Sequence, residues 1–428
     1  MRVLVVGAGG FVGRHLAGRF AAEGWEVVVA GRDPDRLART LPGFVVATCD
    51  LARDTIADWL PRLAGVHAVV NCAGLIRDAG GAYAAVHDRG ARALFDAAQA
   101  AGVRRVVQIS ALGADAGATT AYHLSKRAAD DYLAGLDGTD WVIVRPSLIV
   151  GRGGQSTALF AALAALPFPL RLGLGDWRLQ PIHIGDLVDG IARLLARPGI
   201  IRERIDAVGP EPMTTDAITK AFRRWLGLPL APMLPVPRRA IAAVAIFGQK
   251  VGLGPATPES LAMLERGNVG DPSDFITACG FVPADLSQAL ARTPATPDDL
   301  IAARLAPLAP VLRLLLAAVW LAGGLTPLLL TPRATSMGLL ARAGVTGPAA
   351  PLAFYSAAVL DIAVGLALLL RIRARAAALA GIALTLGYSA ILAVCVPELW
   401  ADPFGPLVKN LAVLGLLLAV RAMETRRG

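Results

Sequence analysis

The feature that most constrains the fold of this sequence is a glycine-rich turn close to its N-terminus. The apolar run Val3-Leu4-Val5-Val6 leads directly into Gly7-Ala8-Gly9-Gly10-Phe11-Val12-Gly13, and a segment with helical spacing follows. A strand–turn–helix of this kind needs glycine where the backbone reverses and where it approaches a pyrophosphate. The N-terminus of the helix then stabilises the negative charge. The turn therefore predicts a dinucleotide site contacted by Gly7, Gly10, Phe11, Val12 and Gly13.

The rest of the N-terminal region alternates short apolar runs with longer helical patterns. The apolar runs cover residues 3–6, 26–30, 44–48, 68–71, 103–110 and 141–145, and helical patterns cover 11–23, 83–101 and 121–135. Strands that are apolar throughout, and do not alternate with polar residues, are typical of a parallel sheet covered by helices on both faces. The pattern predicts an α/β fold, a doubly wound Rossmann domain with a parallel sheet.

The predicted domain boundaries follow from changes in this pattern. Residues 1–235 are expected to form the Rossmann domain with a small substrate lobe at about 151–235, which has too few strand runs for a sheet of its own. Residues 236–302 are expected to be a helical connecting region. Residues 303–428 are expected to form a four-helix transmembrane bundle.

The transmembrane prediction rests on four long apolar stretches, at residues 311–330, 351–370, 376–396 and 407–422. A helix needs roughly 20 apolar residues to cross a bilayer core. Buried helices of a large soluble core are the alternative, but four such stretches in succession favour the membrane. They also account for a composition that is 55% hydrophobic and only 18% charged.

The orientation of the spans follows from the arginines. If the N-terminal domain is cytoplasmic, the inner segments carry eight arginines: Arg304, Arg313, Arg371, Arg373, Arg375, Arg421, Arg426 and Arg427. The outer loops carry only Arg333 and Arg342, together with Glu398 and Asp402. Because positive loops are retained in the cytoplasm, the sequence predicts a cytoplasmic-membrane protein whose N-terminal domain and C-terminus are both cytoplasmic.

Charge and cysteine usage limit the partners. The formal charge is +9, but no dense basic run is present, which excludes a nucleic-acid footprint and favours membrane lipid or phosphate groups. Cys49, Cys72, Cys279 and Cys395 are scattered without C-x-x-C spacing. This distribution favours a reducing compartment, and we predict no metal site.

The second strand ends with Val29-Ala30-Gly31-Arg32 where a NAD-selective site usually has an acid. An arginine there can pair with a 2′-phosphate, so NADP(H) is favoured over NAD(H). A solvated Arg32 is the alternative, and Asp33 follows it directly. Asp50 and Leu51, after the third run, are placed to contact the adenine, while Ala73 and Gly74 close the fourth strand beside the cofactor.

The candidate catalytic residues follow the fifth apolar run. Tyr122 and Lys126 are four residues apart, so on a helix they share one face, and the ammonium can lower the pKa of the phenol. Ser110, at the end of the run, is placed to hold a substrate carbonyl or hydroxyl. A solvated helix face is the alternative interpretation.

Together these motifs resemble the extended and atypical short-chain dehydrogenases/reductases over about residues 1–295. The resemblance rests on Gly7-x-x-Gly10-x-x-Gly13, Asn71-x-Ala73-Gly74, Ser110, Tyr122-x-x-x-Lys126, Arg145-Pro146-Ser147 and Pro181-Ile182-His183-Ile184-x-Asp186. It is strongest to the NAD-dependent epimerase-like branch that contains the nucleotide-binding accessory subunit of respiratory complex I. The C-terminal region resembles the DoxX-like membrane family in Tyr355-x-x-x-x-Leu360-Asp361, Pro397-Glu398-Leu399-Trp400 and Pro403-Phe404-Gly405-Pro406-x-x-Lys409-Asn410.

The resemblance implies roles for individual residues. Tyr122 is implied as the catalytic acid or base, Lys126 as its activator and a ribose-binding group, and Ser110 as the orienting hydroxyl. Pro146 is placed in the cofactor site. Some members of the branch bind the cofactor only as a structural element.

Two main functions are therefore expected from the sequence, and a third alternative is a quinone or thiol redox step in the membrane bundle itself. The first is a membrane-anchored oxidoreductase or epimerase acting on an apolar carbonyl compound, a quinone or an isoprenoid. The second is a non-catalytic NADP(H)-binding sensor or assembly factor for a membrane protein complex. Three further polar residues, Asp361, Lys409 and Asn410, are candidates for the bundle interior, or for the interface in the case of the last two. His183 is either a substrate-lobe residue or locally packed.

Overall fold

The computed structural model describes residues 1–75, 78, 80–251, 257–401 and 405–424. Among the residues used above for the orientation and the resemblance, Asp402, Pro403, Phe404, Arg426 and Arg427 lie outside this part. The chain forms two compact units. The first contains Met1–Ala242 and Thr257–Ala303, and the second contains Ala243–Ala256 and Arg304–Gly428. The chain therefore passes from one unit to the other three times.

The bounds of the elements are as follows. The strands are β1 (Arg2–Val6), β2 (Glu26–Gly31), β3 (Val45–Thr48), β4 (Ala68–Asn71), β5 (Arg105–Ile109), β6 (Asp140–Pro146), β7 (Ile149–Val150), β8 (Leu170–Leu172), β9 (Arg178–Leu179), β10 (Ile182–His183), β11 (Arg202–Ala207), β12 (Met213–Thr214) and β13 (Leu234–Val236). The helices up to residue 291 are α1 (Phe11–Ala22), α2 (Pro34–Thr40), α3 (Ile56–Trp59), α4 (Gly90–Ala100), α5 (Ala121–Ala134), α6 (Gln155–Ala165), α7 (Ile184–Ala196), α8 (Thr215–Trp225), α9 (Arg238–Val251), α10 (Pro258–Arg266), α11 (Ser273–Cys279) and α12 (Leu286–Ala291). The remaining helices are α13 (Pro297–Leu329), α14 (Arg333–Arg342), α15 (Ala349–Leu369), α16 (Ala374–Cys395) and α17 (Pro406–Met423).

The main sheet has seven strands in the order β11-β6-β5-β4-β1-β2-β3, and every pairing in it is parallel. Val3 of β1 pairs with Val27 of β2 on one side and with Ala68 of β4 on the other. The strand order thus reverses at β1. In doubly wound sheets, ligands bind at the carboxyl ends of the strands next to such a switch point.

Alternate side chains of β1 build a core on each face of this sheet. Val3 and Val5 pack in a buried cluster with residues of α1 and α7, including Phe20 and Leu187. Leu4 and Val6 pack on the opposite face in a cluster that includes Phe95 of α4 and other buried side chains. Burying a side chain of this size contributes about 1.5–3 kcal/mol. The predicted Rossmann fold is confirmed.

The region predicted as a substrate lobe is only partly separate. β11 extends the main sheet beside β6, and α7 packs against α1, so both belong to the Rossmann core. The other segments form two-stranded pairings, β7 with β10, β9 with β12 and β8 with β13, over a third cluster that includes Phe160 and Phe222. Sequence analysis missed β11 because Arg202-Glu203-Arg204 makes this edge strand polar.

The second unit contains the predicted bundle. Within the described part, α13, α15 and α16 are long and apolar enough to cross a membrane. The fourth apolar stretch forms α17, and the expected loop after α13 contains α14. Leu316, Trp320, Leu368 and Leu417 belong to the buried cluster that joins these helices.

Ion pairs connect the helices within this unit. Glu424, directly after α17, contacts Arg313 of α13 at 3.0 Å and Arg371, which follows α15, at 2.9 Å. Arg342 at the end of α14 pairs with Glu398, which lies between α16 and α17. The ends of α15 and α17 therefore lie together, as they do when consecutive long helices run in alternating directions.

Candidate functional site

The glycine turn brings the backbone of β1, α1 and the end of β4 into close contact. Gly7 has a φ of +78°, and a Cβ there would lie 2.8 Å from the backbone nitrogen of Ala73. A Cβ on Gly13 would lie 2.5 Å from the carbonyl oxygen of Gly7. α1 begins at Phe11 with no side-chain cap and no acid in its first turn. Its first amide groups are therefore available to an anion.

The end of β2 separates the roles of Arg32 and Asp33. The Asp33 carboxylate caps α2 by accepting a hydrogen bond from the backbone nitrogen of Arg36 at 2.9 Å. Arg32 is exposed. The Asp33 carboxylate is thus held at the N-terminus of α2, while the arginine is accessible.

Asp50 and Leu51 lie at the carboxyl end of β3, as predicted. The Asp50 carboxylate accepts a hydrogen bond from the backbone nitrogen of Ala52 at 3.1 Å, which forms a local turn. Leu51 is buried, and a Cβ on Gly90 would lie 1.8 Å from its carbonyl oxygen. These residues are held at the same edge of the sheet as the glycine turn, through contacts of their own.

Lys126 reaches from α5 to the ends of two strands. Its ammonium donates to the carbonyl oxygen of Ala73 at 3.2 Å and to that of Ile109 at 3.0 Å. Lys126 is only 3% exposed, and this burial lowers its pKa to about 8. Because the backbone of Ala73 also approaches Gly7 so closely that a Cβ there would not fit, the lysine and the glycine turn lie on either side of one residue. Gly74 is next to both, with Nζ of Lys126 3.5 Å from the position of a Cβ.

Tyr122 lies one turn before Lys126 on α5, among aromatic rings. Tyr83, His87 and His123 all contact it edge to face, at centroid distances of 5.9, 5.6 and 5.4 Å. Burial, followed by the charges of Asp130 and Glu259, raises the pKa of Tyr122 to about 12. The structure thus departs from the expectation that Lys126 lowers the pKa of this phenol, since desolvation is the dominant influence.

Ser110 is committed to a buried carboxylate. It follows β5 and donates its hydroxyl proton to Oδ2 of Asp130. Asp130 is 1% exposed, and burial raises its pKa to about 6. The orienting role predicted for Ser110 would therefore be carried out by a hydroxyl whose proton already has a partner on α5.

Three residues near the site were missed by sequence analysis. Asp130 lies four residues after Lys126, as Lys126 lies four residues after Tyr122. This spacing on one helix face could have identified Asp130 from the sequence. His87 accepts from the backbone nitrogen of Leu75 at 2.7 Å, which leaves its Nδ1 proton facing Ser125 Oγ.

Glu259 comes from α10, far away in the sequence. It accepts hydrogen bonds from the backbone nitrogen of Tyr122 at 2.9 Å and from the Tyr83 hydroxyl at 3.2 Å. No local pattern in the sequence marks this residue or His87.

Two further predicted positions have clear structural partners. Pro146 ends β6, where its carbonyl oxygen accepts from the backbone nitrogen of Leu112 at 3.0 Å. His183 caps α7 through Nδ1, which accepts from the backbone nitrogen of Gly185 at 3.1 Å. This contact agrees with the alternative that His183 packs locally.

Known families match both units. Residues 7–160 match a family described as NAD(P)H-binding, and residues 317–418 match the DoxX-like family. Ceramide reductase of Caulobacter vibrioides (strain NA1000 / CB15N) is 30% identical over 299 residues, which cover 65% of this chain and 92% of that protein. The chain belongs to the same NAD(P)-binding short-chain dehydrogenase/reductase family. The family assignment predicted from the motifs is confirmed, as is the DoxX-like domain, and the latter together with the apolar helices indicates a membrane protein.

A further relative agrees with this placement, and solved structures share the fold of the first unit. The chloroplastic homolog of epimerase family protein SDR39U1 from Arabidopsis thaliana is 25% identical over 286 residues, covering 59% of this chain and 80% of that protein. A UDP-glucose 4-epimerase of Thermotoga maritima superposes with a TM-score of 0.53 at 16% identity, covering 68% of this chain and 96% of the other. A UDP-glucose 4-epimerase of Thermus thermophilus in complex with NAD gives a TM-score of 0.52 at 21% identity, covering 70% and 99%. At these identities the structural matches establish the fold.

Proposed function

We propose that this protein is a membrane-anchored, NADP(H)-dependent reductase in which Tyr122 is the proton donor and Lys126 its partner. One observation carries the proposal. The backbone nitrogen of Ala73 lies 2.8 Å from the position that a Cβ on Gly7 would occupy, and its carbonyl oxygen accepts a hydrogen bond from Lys126. The cofactor turn and the Tyr122–Lys126 helix face are therefore held side by side at the carboxyl edge of the sheet.

The residues at this edge fit a dinucleotide. The close approach of Gly7 and Gly13 to neighbouring backbone leaves no space for a side chain, and the uncapped start of α1 offers amide donors to a pyrophosphate. The exposed Arg32 is suited to a 2′-phosphate, because a guanidinium forms charge-assisted hydrogen bonds with phosphate oxygens, and Asp33 is held at the start of α2 by its capping contact. The bound cofactor would supply the hydride.

Residues of the chain itself supply a proton and stabilise the negative charge that develops on the substrate oxygen. With its pKa at about 12, Tyr122 is protonated at neutral pH and can donate to an oxygen that gains negative charge during reduction. Lys126, with a pKa of about 8, is mainly an ammonium at pH 7 and adds positive charge close by. This division of roles favours carbonyl reduction, in which the phenol acts as an acid.

The substrate class is proposed from the family member and from the second unit. The Caulobacter protein is named a ceramide reductase, and this chain carries a DoxX-like domain with apolar helices. We therefore favour a carbonyl group on a lipid, in preference to a quinone or an isoprenoid. We keep the predicted orientation as part of the proposal: four spans in the cytoplasmic membrane, with the N-terminal unit and the C-terminus cytoplasmic.

Tyr122→Phe tests this proposal in the full chain. General acid catalysis contributes about 10²–10⁴-fold, so NADPH oxidation with a keto-ceramide substrate in mixed micelles should fall by at least about 100-fold. NADPH affinity, measured by quenching of tryptophan fluorescence, should stay within twofold. Tyr132→Phe is a matched control, because this tyrosine lies on the same helix and bonds Asp96 on the neighbouring helix α4.

The same measurement separates the reductase from the non-catalytic alternative. If the wild-type chain binds NADPH but oxidises it no faster with the substrate than without, or if Tyr122→Phe has the wild-type rate, the reductase is rejected. A sensor or assembly factor would then be the function to pursue, beginning with membrane proteins that purify with the chain in an NADPH-dependent ratio.

A further inference from the structure

A cavity of about 160 Å³, open on one side, is lined by residues of α13, α14, α15 and α16. Small apolar residues form much of its wall, among them Gly323, Ala353 and Ala357. Two polar side chains also line it, Asp361 of α15 and Tyr388 of α16. A carboxylic acid within a transmembrane segment is costly unless it has a partner or a ligand, so such residues commonly mark functional sites.

The carboxylate is only partly occupied by its protein contact. The Tyr388 hydroxyl donates to Oδ1 of Asp361 at 3.2 Å. Oδ2 lies beside Gly323, where a Cβ would be 3.3 Å away. The glycine leaves this side of the carboxylate uncovered by a side chain on α13.

A second acceptor lies on the same wall. Pro327 is inside α13 and has no N–H, so the carbonyl of Gly323, four residues earlier, lacks its usual helical donor. Both Gly323 and Pro327 line the cavity. The wall therefore combines a backbone carbonyl and a carboxylate, and an acceptor surrounded by hydrocarbon gains most from a ligand that donates hydrogen bonds.

We propose that this cavity binds the headgroup of an apolar molecule through a hydroxyl or an amine that donates to Asp361 and to the Gly323 carbonyl. A cavity of about 150 Å³ accommodates benzene, so there is room here for a headgroup and its first carbons, with the remaining chain in the lipid. The bundle is then a ligand-binding domain, and its site is distinct from Tyr122 and Lys126.

Binding of tritiated 1-decanol to the full chain in phosphatidylcholine nanodiscs tests this site. We expect saturable binding of 1-decanol. Decyl methyl ether, which has the same chain length but no hydrogen-bond donor, should compete with the labelled alcohol at least tenfold less well than unlabelled 1-decanol does. Decylamine identifies the donor: stronger competition than by 1-decanol indicates an ammonium headgroup, and equal or weaker competition indicates a hydroxyl.

Variants localise the binding. Asp361→Asn and Ala357→Leu should each weaken 1-decanol binding at least tenfold, the first by removing the charged acceptor and the second by filling the cavity. Ser389→Ala is the matched control, because Ser389 is next to Tyr388 but accepts from Asn410 at 2.8 Å and does not line the cavity. NADPH affinity of each variant verifies that the first unit is intact.

Two results would overturn the inference. One is equal competition by the ether and the alcohol, which would show that no hydrogen bond is used. The other is wild-type affinity for 1-decanol in Ala357→Leu, which would show that the alcohol does not occupy the cavity. This second test remains valid even if Asp361→Asn is unstable. Tyr122→Phe should bind 1-decanol normally, so failure of the proposed reductase activity leaves this site standing, and the reverse holds as well.

Discussion

The two units of the molecule hold their buried charges in different ways. In the first unit, Lys126 donates to the carbonyls of Ala73 and Ile109. Buried Arg105 donates mainly to backbone, to the carbonyls of residues 194, 195, 197 and 199, and it also pairs with Asp140 at 3.3 Å. In the second unit, Arg313 and Arg371 contact the side chain of Glu424.

The difference follows from backbone hydrogen bonding. At strand ends, in loops and at helix C-termini, many backbone carbonyls have no backbone hydrogen-bond partner. Within a long helix, most carbonyls accept a hydrogen bond from the N–H four residues further along. A charge inside a helical bundle therefore depends on another side chain. Single substitutions of partner residues should be more damaging in the second unit than in the first.

The largest effect is expected for Glu424→Gln, which removes the shared partner of two arginines. Breaking a buried ion pair from one side costs about 3–5 kcal/mol. The midpoint of equilibrium unfolding in mixed micelles should fall accordingly.

Glu398→Gln is the matched control for Glu424→Gln, because its pair with Arg342 is about half exposed, and such pairs contribute about 0–1 kcal/mol. Equal losses in the two variants would contradict the comparison.

Gly13→Ala probes the backbone contacts of the first unit. Its Cβ would meet the backbone of Gly7 and Ala8 at 2.5 and 2.7 Å, and backbone shifts of this kind cost about 1–3 kcal/mol. NADPH affinity should fall at least tenfold, as measured by fluorescence titration. Gly18→Ala on the same helix has open space around its Cβ and should raise the free energy of unfolding by about 0.5–1 kcal/mol. If Gly13→Ala retains wild-type affinity, the assignment of the turn is incorrect.

Arg32→Ala tests cofactor preference. Loss of a charge-assisted contact with a 2′-phosphate should weaken NADPH binding about tenfold, or about 1.4 kcal/mol, and leave NADH binding unchanged. Arg36→Ala, at another exposed arginine nearby on α2, controls for general loss of positive charge. A parallel loss of NADPH and NADH affinity in Arg32→Ala would refute the proposed preference.

The smallest effect is a shift in pH dependence. Lys126 loses its proton as the pH rises through about 8, so kcat should decline above that value. The charge of Asp130 raises the pKa of Lys126, and Asp130→Asn should therefore move the alkaline limb to lower pH. Asp131→Asn, at an exposed neighbour that pairs with Arg127 and Arg204, should leave the profile unchanged. An alkaline limb that stays at the same pH in Asp130→Asn would exclude Lys126 as its source.

The sequence predicted those parts of the fold that rest on local pattern. The six apolar runs became β1 to β6, because strands buried on both faces must be apolar throughout. β11 was missed because an edge strand tolerates charged side chains, and the two-residue strands were missed because only tertiary contacts define them. In the bundle, α14 lies in a segment whose polar and apolar residues resemble those of a loop.

The candidate site likewise contains residues that local motifs predict and residues that only tertiary contacts bring together. The glycines, Tyr122 and Lys126 belong to short motifs, so their grouping at the carboxyl edge could be expected from the strand order. Glu259 reaches Tyr122 across 137 positions, a contact that only the folded chain creates. The pKa of Tyr122 was predicted in the wrong direction because a sequence motif shows its charged neighbour but not the desolvation around the ring.

The three passages of the chain between the units bear on where this protein can be divided. A cut after Ala303 would remove the bundle but leave residues 243–256, which belong to the same compact unit, attached to the first unit. Val244, Ile246 and Phe247 in that stretch are each about half exposed even in the full chain. A shortened protein would expose these apolar side chains to water and should self-associate, so isolating the first unit in soluble form requires this part of α9 to be excised or redesigned as well.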